Sequence, residues 1–375
     1  MTETPTKSLA AVVTGFNEPL QVRELPVPEL APGSVLVKIE LATVCGSDVH
    51  LWDGSRSQLA IKFPMIPGHE MTGRVVAFGD GPHIDSAGTT LDIGDRLIWT
   101  IASCGSCFNC TVLELPNLCR SRETNVNVGA ENPPYLLGGF SEYAYVLPKS
   151  KRFRVPDGVK SEWASAASCA LRSVVRGFER LGRSEPWETI VIQGAGPLGL
   201  FATAYAQHSG AGRIIVIGGP ADRLALARDW GATETVAISD YPDAEGRIAA
   251  VRQLTGGDGA EIVMEFSGAG SAFAEGVEMV RPGGRYVVSG QVVPHPVPVA
   301  ASRITTGHLT ILGAYSGGGS HYWRALQFLD LTRDKYDFDR LISGRFHLDQ
   351  ATDALKGMQS YTEIKPVILP TLSNG

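Results

Sequence analysis

The stretch TIVIQGAGPLGLFATAYAQHS, residues 189–209, decides the architecture of half the chain. A short apolar run, Thr189–Gln193, ends in a glycine-rich turn. An apolar helix pattern, Leu198–Ser209, follows at once. The turn holds Gly194, Ala195, Gly196, Pro197, Leu198 and Gly199, a GxGxxG pattern. The first glycine of such a pattern permits a tight turn and the second lets backbone approach a pyrophosphate. The third lets helix and strand pack closely. The helix start offers free N–H groups and a positive dipole end to phosphate. Its place between strand and helix is what distinguishes this run as a dinucleotide site.

The same alternation continues on both sides. Ser161–Leu181 is alanine-rich with helical spacing, and Gly182 follows as a stop signal. Arg213–Ile217, Val236–Ile238, Ile262–Glu265 and Tyr286–Ser289 read as strands, with helix patterns between them, one from Ala221 to Asp229. Strand and helix alternating at this spacing predict an α/β domain with a parallel, doubly wound sheet, ending near Gly313. Upstream the texture differs. Ala11–Thr14, Val35–Leu41, Met71–Phe78, Arg96–Thr100 and Tyr143–Leu147 read as strands separated by Gly, Pro and Asp, a mainly antiparallel β region. Downstream, His321–Leu331 and Leu348–Gln359 read as helices and Lys365–Leu369 as a closing strand. That last part is too small for its own core, so it is expected to rejoin the first. The expected division is 1–168, 169–312 and 313–375.

The 375 residues carry a net charge of −6, which offers no basic surface to a nucleic-acid backbone or an anionic membrane. No apolar run reaches the roughly 18–20 residues of a membrane span. The start, MTETPTKSLA, lacks the apolar core of a signal peptide, so a cytoplasmic location is expected.

Four of the six cysteines, Cys104, Cys107, Cys110 and Cys119, fall in CGSCFNCTVLELPNLC. Thiolates at two-residue spacing can turn toward one ion, and four of them satisfy tetrahedral zinc with no open position. Cys45 opens CGSDVH, Gly68-His69-Glu70 comes later, and Cys169 lies in AASCALRSVV. One Cys, one His and another Cys are the ligand set of a catalytic zinc with an open fourth position. The carboxylates beside them, Asp48 and Glu70, suit supporting or alternating-ligand roles.

CGSDVH, GHE, the four-cysteine lobe, the cysteine helix and GxGxxG stand in the combination and order of one family. The chain resembles a zinc-dependent medium-chain alcohol dehydrogenase over essentially its whole length. The resemblance implies a GroES-like catalytic domain built from both chain ends, with a Rossmann domain between them. It implies two zinc ions per chain, with Cys45, His69 and Cys169 as catalytic ligands. Glu70 matches an acid that can visit the metal, and Asp48 the carboxylate that orients the histidine. Ser47 and His50 match a proton relay. Ser173 falls where a Thr often lies near the nicotinamide, and Lys365 where a basic side chain commonly reaches the cofactor phosphates. The cysteine third ligand favours alcohols over polyols. Homodimer and homotetramer both occur in such families.

Some positions depart from the family pattern. Gly46 replaces a basic pyrophosphate contact, eight residues separate Cys110 from Cys119 instead of seven, and Gly79–Asp92 reads as an extended surface loop. Where a ribose-binding acid is expected after the second strand stand Gly218, Gly219 and Pro220, followed by Asp222 and Arg223. That leaves NAD or NADP open, with a lean to NAD. Gly-Gly-Pro there resembles some bacterial terpene-alcohol members. Trp52, Trp99 and Thr100 are candidate pocket or packing residues. The competing readings are a zinc-free quinone or enoyl reductase, and a zinc- and nucleotide-binding redox sensor or interaction protein without turnover.

Overall fold

The computed structural model describes residues 4–294 and 296–373. The chain divides into two compact units, Met1–Cys169 with Gly317–Gly375, and Ala170–Ser316. The division follows Cys169 instead of preceding it, so every expected zinc ligand lies in the first unit.

The first unit contains β1 (Lys7–Val12), β2 (Gln21–Pro26), β3 (Val35–Thr43), β4 (Met71–Phe78), β5 (Arg96–Trp99), β6 (Tyr143–Val146) and β7 (Arg152–Arg154). The second unit contains β8 (Thr189–Gln193), β9 (Arg213–Gly218), β10 (Glu234–Ala237), β11 (Ala260–Glu265), β12 (Val280–Val288) and β13 (Thr310–Gly313). β14 (Ile342–His347) and β15 (Lys365–Leu369) return to the first.

In the first unit β1 and β2 form an antiparallel pair. A seven-stranded sheet runs β14-β15-β3-β4-β5-β7, with β6 also on β3. β15 joins antiparallel to β3, setting Val367 against Thr43. The C-terminal residues Leu348, Ala351, Leu355 and Ile368 sit in the same core cluster as Val35, Val37, Ile39 and Phe140. In the second unit the order is β10-β9-β8-β11-β12-β13, parallel throughout. Strand order reverses beside β8, and ligands of such sheets bind at that switch point, outside the carboxyl ends of the strands. β8 is buried at all five positions, as a central parallel strand covered on both faces should be.

Two expectations change. Ser161–Leu181 is not one regular helix. It runs as helix Ser161–Ala166, a π turn Ala167–Leu171 and helix Arg172–Leu181. Side-chain periodicity does not report a single widened turn, and such turns often mark functional sites. Gly46–Trp52 is a helix that the turn-forming letters Gly-Ser-Asp concealed. Cys45 stands at its N-cap, and the Asp48 carboxylate accepts the Cys45 backbone N–H at 3.0 Å. The excursion 79–92 folds on itself through an Ile84–Thr90 bridge, with Asp85 accepting N–H groups of Ala87 and Thr89. Among the described residues no helix is long and apolar enough to cross a membrane.

Candidate active site

Cys104, Cys107, Cys110 and Cys119 converge in a lobe of the first unit. Their sulfurs stand 3.5 Å apart for 107–110 and 119–104, and 4.0 Å for 104–110 and 107–119. Zinc–sulfur bonds of about 2.3 Å place tetrahedral sulfurs about 3.8 Å apart, so the set fits that ion. The Cys104 sulfur accepts the backbone N–H groups of Ser106 and Cys107 at 3.5 and 3.3 Å. Those N–H groups favour the thiolate, and the Cys104 thiol falls to about 6. In the eight-residue interval 111–118, Thr111 ends helix Phe108–Thr111 and Pro116–Leu118 form a 3-10 turn, with the Asn109 amide donating to the Leu118 carbonyl at 2.6 Å.

A second group forms from three separate places. Cys45 precedes helix Gly46–Trp52, His69 and Glu70 precede β4, and Cys169 stands in the π turn. One ligand atom from each of Cys45, His69, Glu70 and Cys169 lies within 4.8 Å of the others. His69 Nδ1 is 3.0 Å from Asp48 Oδ1, which leaves Nε2 for a metal. The same Asp48 oxygen accepts the Gly68 N–H at 3.1 Å while the other holds Cys45. Burial opposes ionisation of Asp48, yet His69 and these N–H groups keep its carboxyl below the ordinary value. Cys169, together with burial, pushes the Cys45 thiol up to about 11. Two thiols held this close can both ionise only with a cation between them, and a donor set of two sulfurs and an imidazole suits zinc.

In the second unit Gly194 adopts φ +115°, the left-handed region that favours glycine. A Cβ on Gly199 would lie 1.8 Å from the Gly194 carbonyl oxygen, whereas a Cβ on Gly196 would meet open space. This is the cradle a pyrophosphate needs, with Gly196 capping helix Pro197–His208. Ala195 is buried, and Leu198 lies in the first helical turn. Replacing Gly199 with Ala is expected to cost about 3 kcal/mol, because the obstruction is backbone and cannot swing aside. The urea midpoint and dinucleotide titration would both register it. An unchanged midpoint would contradict the packing described.

Two family models match the chain. An alcohol dehydrogenase GroES-like domain matches residues 31–157, and a zinc-binding dehydrogenase domain matches residues 197–331. The chain is 38% identical to 5-exo-hydroxycamphor dehydrogenase of Pseudomonas putida, over 97% of this chain and 99% of that one. The chain belongs to the zinc-dependent medium-chain dehydrogenase/reductase family. An alcohol dehydrogenase of Thermotoga maritima superposes on this dehydrogenase with a TM-score of 0.90 at 33% identity, covering 97% of this chain and all of that one. A zinc-binding dehydrogenase of Sinorhizobium meliloti, solved with NADP, gives 0.82 at 28% identity over 98% and 100%. The protein is an alcohol-type dehydrogenase that uses zinc and a nicotinamide dinucleotide, NAD(P), for hydride transfer. A binding protein without turnover is not favoured.

One expected cofactor contact of the dehydrogenase stands elsewhere. Lys365 was expected at the cofactor phosphates. The structure gives it another partner: its ammonium stands 2.5 Å from Glu70 Oε2, and the two side chains are 1% and 0% exposed. A cation that deep needs a counter-charge at contact distance, and Glu70 supplies it. Trp52 is a packing residue, donating its indole N–H to the Glu18 carbonyl at 2.7 Å. Trp99 and Thr100 line a cleft with His69. Ser47 and His50 share one helix three residues apart, on one face. At the strand end of β9 a Cβ on Gly218 would lie 2.6 Å from the Ala195 Cβ, so no larger residue fits there without movement. Beside it, Gly219 leads to Pro220. Asp222 accepts the Arg223 backbone N–H at 2.8 Å, and Arg223 and Ser173 are both buried.

Glu265 escaped the sequence reading. It is fully buried at the end of β11, and its carboxylate accepts Gly268 N–H at 2.7 Å and Gly290 N–H at 2.8 Å. It thereby ties together the loops that follow β11 and β12 at the ligand end of the sheet. An acid ending a buried apolar strand was the available signal.

Proposed function

We propose that Cys45, His69 and Cys169 hold a catalytic zinc, that Glu70 waits beside it, and that the four-cysteine lobe holds a structural zinc. The observation that carries this reading is the convergence of four donors from three separate segments on one point. Bound zinc supplies Lewis-acid polarisation of a substrate oxygen, and the dinucleotide supplies the hydride acceptor. Asp48 fixes the His69 ring and anchors the Cys45 backbone, so both ligands are aimed before the metal arrives. Ser47 takes the substrate hydroxyl proton and passes it toward His50, whose half-exposed ring hands it to solvent.

The substrate reading is a cyclic secondary alcohol of terpenoid size. Support comes from the kinship with 5-exo-hydroxycamphor dehydrogenase and from the cleft beside His69. Met71, Trp99, Ile101 and Leu137 line that cleft together with the polar side chains of Thr100, Glu123 and Asn125. For the cofactor, Gly218 brings no carboxylate to chelate a ribose or repel a 2′-phosphate. Asp222 is committed to the helix start. NAD is read as the preferred cofactor and NADP as an accepted one. The ratio of kcat/KM is expected below about a hundredfold.

Metal analysis of the purified protein should return two zinc ions per chain. NAD reduction across primary, secondary and bicyclic secondary alcohols should rank the last highest. An active protein with no zinc would overturn the ligand assignment. A preference for linear primary alcohols would overturn the substrate class.

A further inference from the structure

The pairing of Lys365 with Glu70 is an unusual thing to find beside a metal site. An ammonium ion repels an incoming dication and competes with it for the carboxylate. Burying such a pair is seldom a gain in stability, since desolvation of two ions offsets their attraction. Its geometry is nonetheless closely organised. Glu70 Oε2 takes the Lys365 ammonium at 2.5 Å and the Thr43 hydroxyl at 2.6 Å. The Thr43 hydroxyl is itself 3.1 Å from the Ser165 hydroxyl, which donates to the Glu70 carbonyl at 2.9 Å. Glu70 Oε1, equally buried, has no hydrogen-bond partner. One oxygen is therefore held twice, and the other is left for whatever the cluster of Cys45, His69 and Cys169 contains. A buried carboxylate oxygen without a donor is costly unless a cation can reach it.

We propose that Lys365 is a latch: it holds Glu70 outside the coordination sphere of the catalytic zinc and so keeps the fourth position open for substrate. The proposal rests on the ligand assignment made above. Latched, the site has three protein ligands and an opening, as catalytic zinc sites do. Unlatched, Glu70 becomes a fourth protein ligand and the site closes in the manner of a structural one. Lys365 is thus a positioning residue that acts through Glu70, and Thr43 assists it from the same oxygen.

The test compares wild type with Lys365→Met, Thr43→Val and the double variant Lys365→Met/Glu70→Gln. Each is assayed for turnover, for zinc loss to a chromogenic chelator, for dinucleotide binding and, after cobalt exchange, for its visible spectrum. In Lys365→Met the metal is the only counter-charge left to Glu70. Its catalytic zinc should leave at least about tenfold more slowly and kcat should fall at least about tenfold. The cobalt bands should shift, a change that a purely structural defect would not produce. Thr43→Val, nearly isosteric and expected to fold, should move zinc loss in the same direction by a smaller factor. The double variant, whose amide is a poor ligand, should recover the wild-type rate of zinc loss. Unchanged zinc loss and cobalt bands in both single variants would overturn the latch. So would a Lys365→Met protein with weakened dinucleotide binding and wild-type metal behaviour, which would return Lys365 to the cofactor phosphates. If Lys365→Met does not fold, Thr43→Val decides alone. Absence of zinc from the Cys45 cluster of the wild type would instead sink the ligand assignment itself.

Discussion

Replacing Cys169 with serine is expected to abolish turnover while leaving the fold in place. The residue stands in the π turn Ala167–Leu171, at the last position of this stretch that belongs to the first unit, with its ligand atom within 4.8 Å of those of Cys45 and His69. A serine hydroxyl fits the space. It does not ionise at neutral pH, so it neither binds zinc as a thiolate does nor balances its charge. Lewis-acid polarisation is worth several kcal/mol at the transition state, so kcat/KM should fall by on the order of a thousandfold or more. Zinc content should drop from two to one per chain. Circular dichroism and the urea midpoint should barely move, because the surrounding helix segments are buried through Ala166, Ala167, Ala170 and Leu171, not through the thiol. A serine variant with both metals and normal turnover would remove Cys169 from the site. The same substitution at Cys45 should act alike.

Replacing Cys107 with serine should do the reverse, lowering stability before it touches chemistry. Its sulfur lies 3.5 Å from Cys110 and 4.0 Å from Cys119, so it occupies one corner of a closed tetrahedron. The lobe around it has little else to hold it. Phe108, Val112, Leu113 and Leu118 are exposed, and none of the residues of helix Phe108–Thr111 is buried. Structural zinc contributes about 10–16 kcal/mol to folding of small zinc domains, and losing one ligand of four should cost on the order of 3–5 kcal/mol here. The checks are an earlier thermal transition, one zinc lost per chain, and proteolytic cutting confined to residues 104–119. A variant with wild-type melting and both metals would show that the lobe does not depend on its ion.

How much of this was legible before folding varies with the physics of each part. β4, β8 and β15 run between the residues that their apolar letters mark, because buried strands are bounded by turn formers. The glycines of the 194–199 turn were readable because backbone geometry there excludes any Cβ. The helix Gly46–Trp52 was not, since its Gly-Ser-Asp start is also how a turn is written. The π turn at Cys169 was invisible for a different reason: one extra residue in a helical turn leaves no mark in composition. The Glu70 partner of Lys365 was not legible because a lysine at a strand start says only that a cation is present. Which anion it meets depends on β15 lying against β3 and, through it, close to Thr43 and Glu70.

The sequence by itself determined the chemistry available to this dehydrogenase. Six thiols, three of the right carboxyl and imidazole groups, and a glycine turn between strand and helix belong to residue type and spacing, which folding cannot alter. Only the tertiary structure decided how those groups are used. Donors from Cys45 to Cys169 meet because β-sheet pairing and a widened helical turn bring distant segments to one point. Burial then makes each charge there seek a partner at contact distance. That requirement ties His69 to Asp48 and Lys365 to Glu70, whereas the second Glu70 carboxylate oxygen is buried with no hydrogen-bond partner.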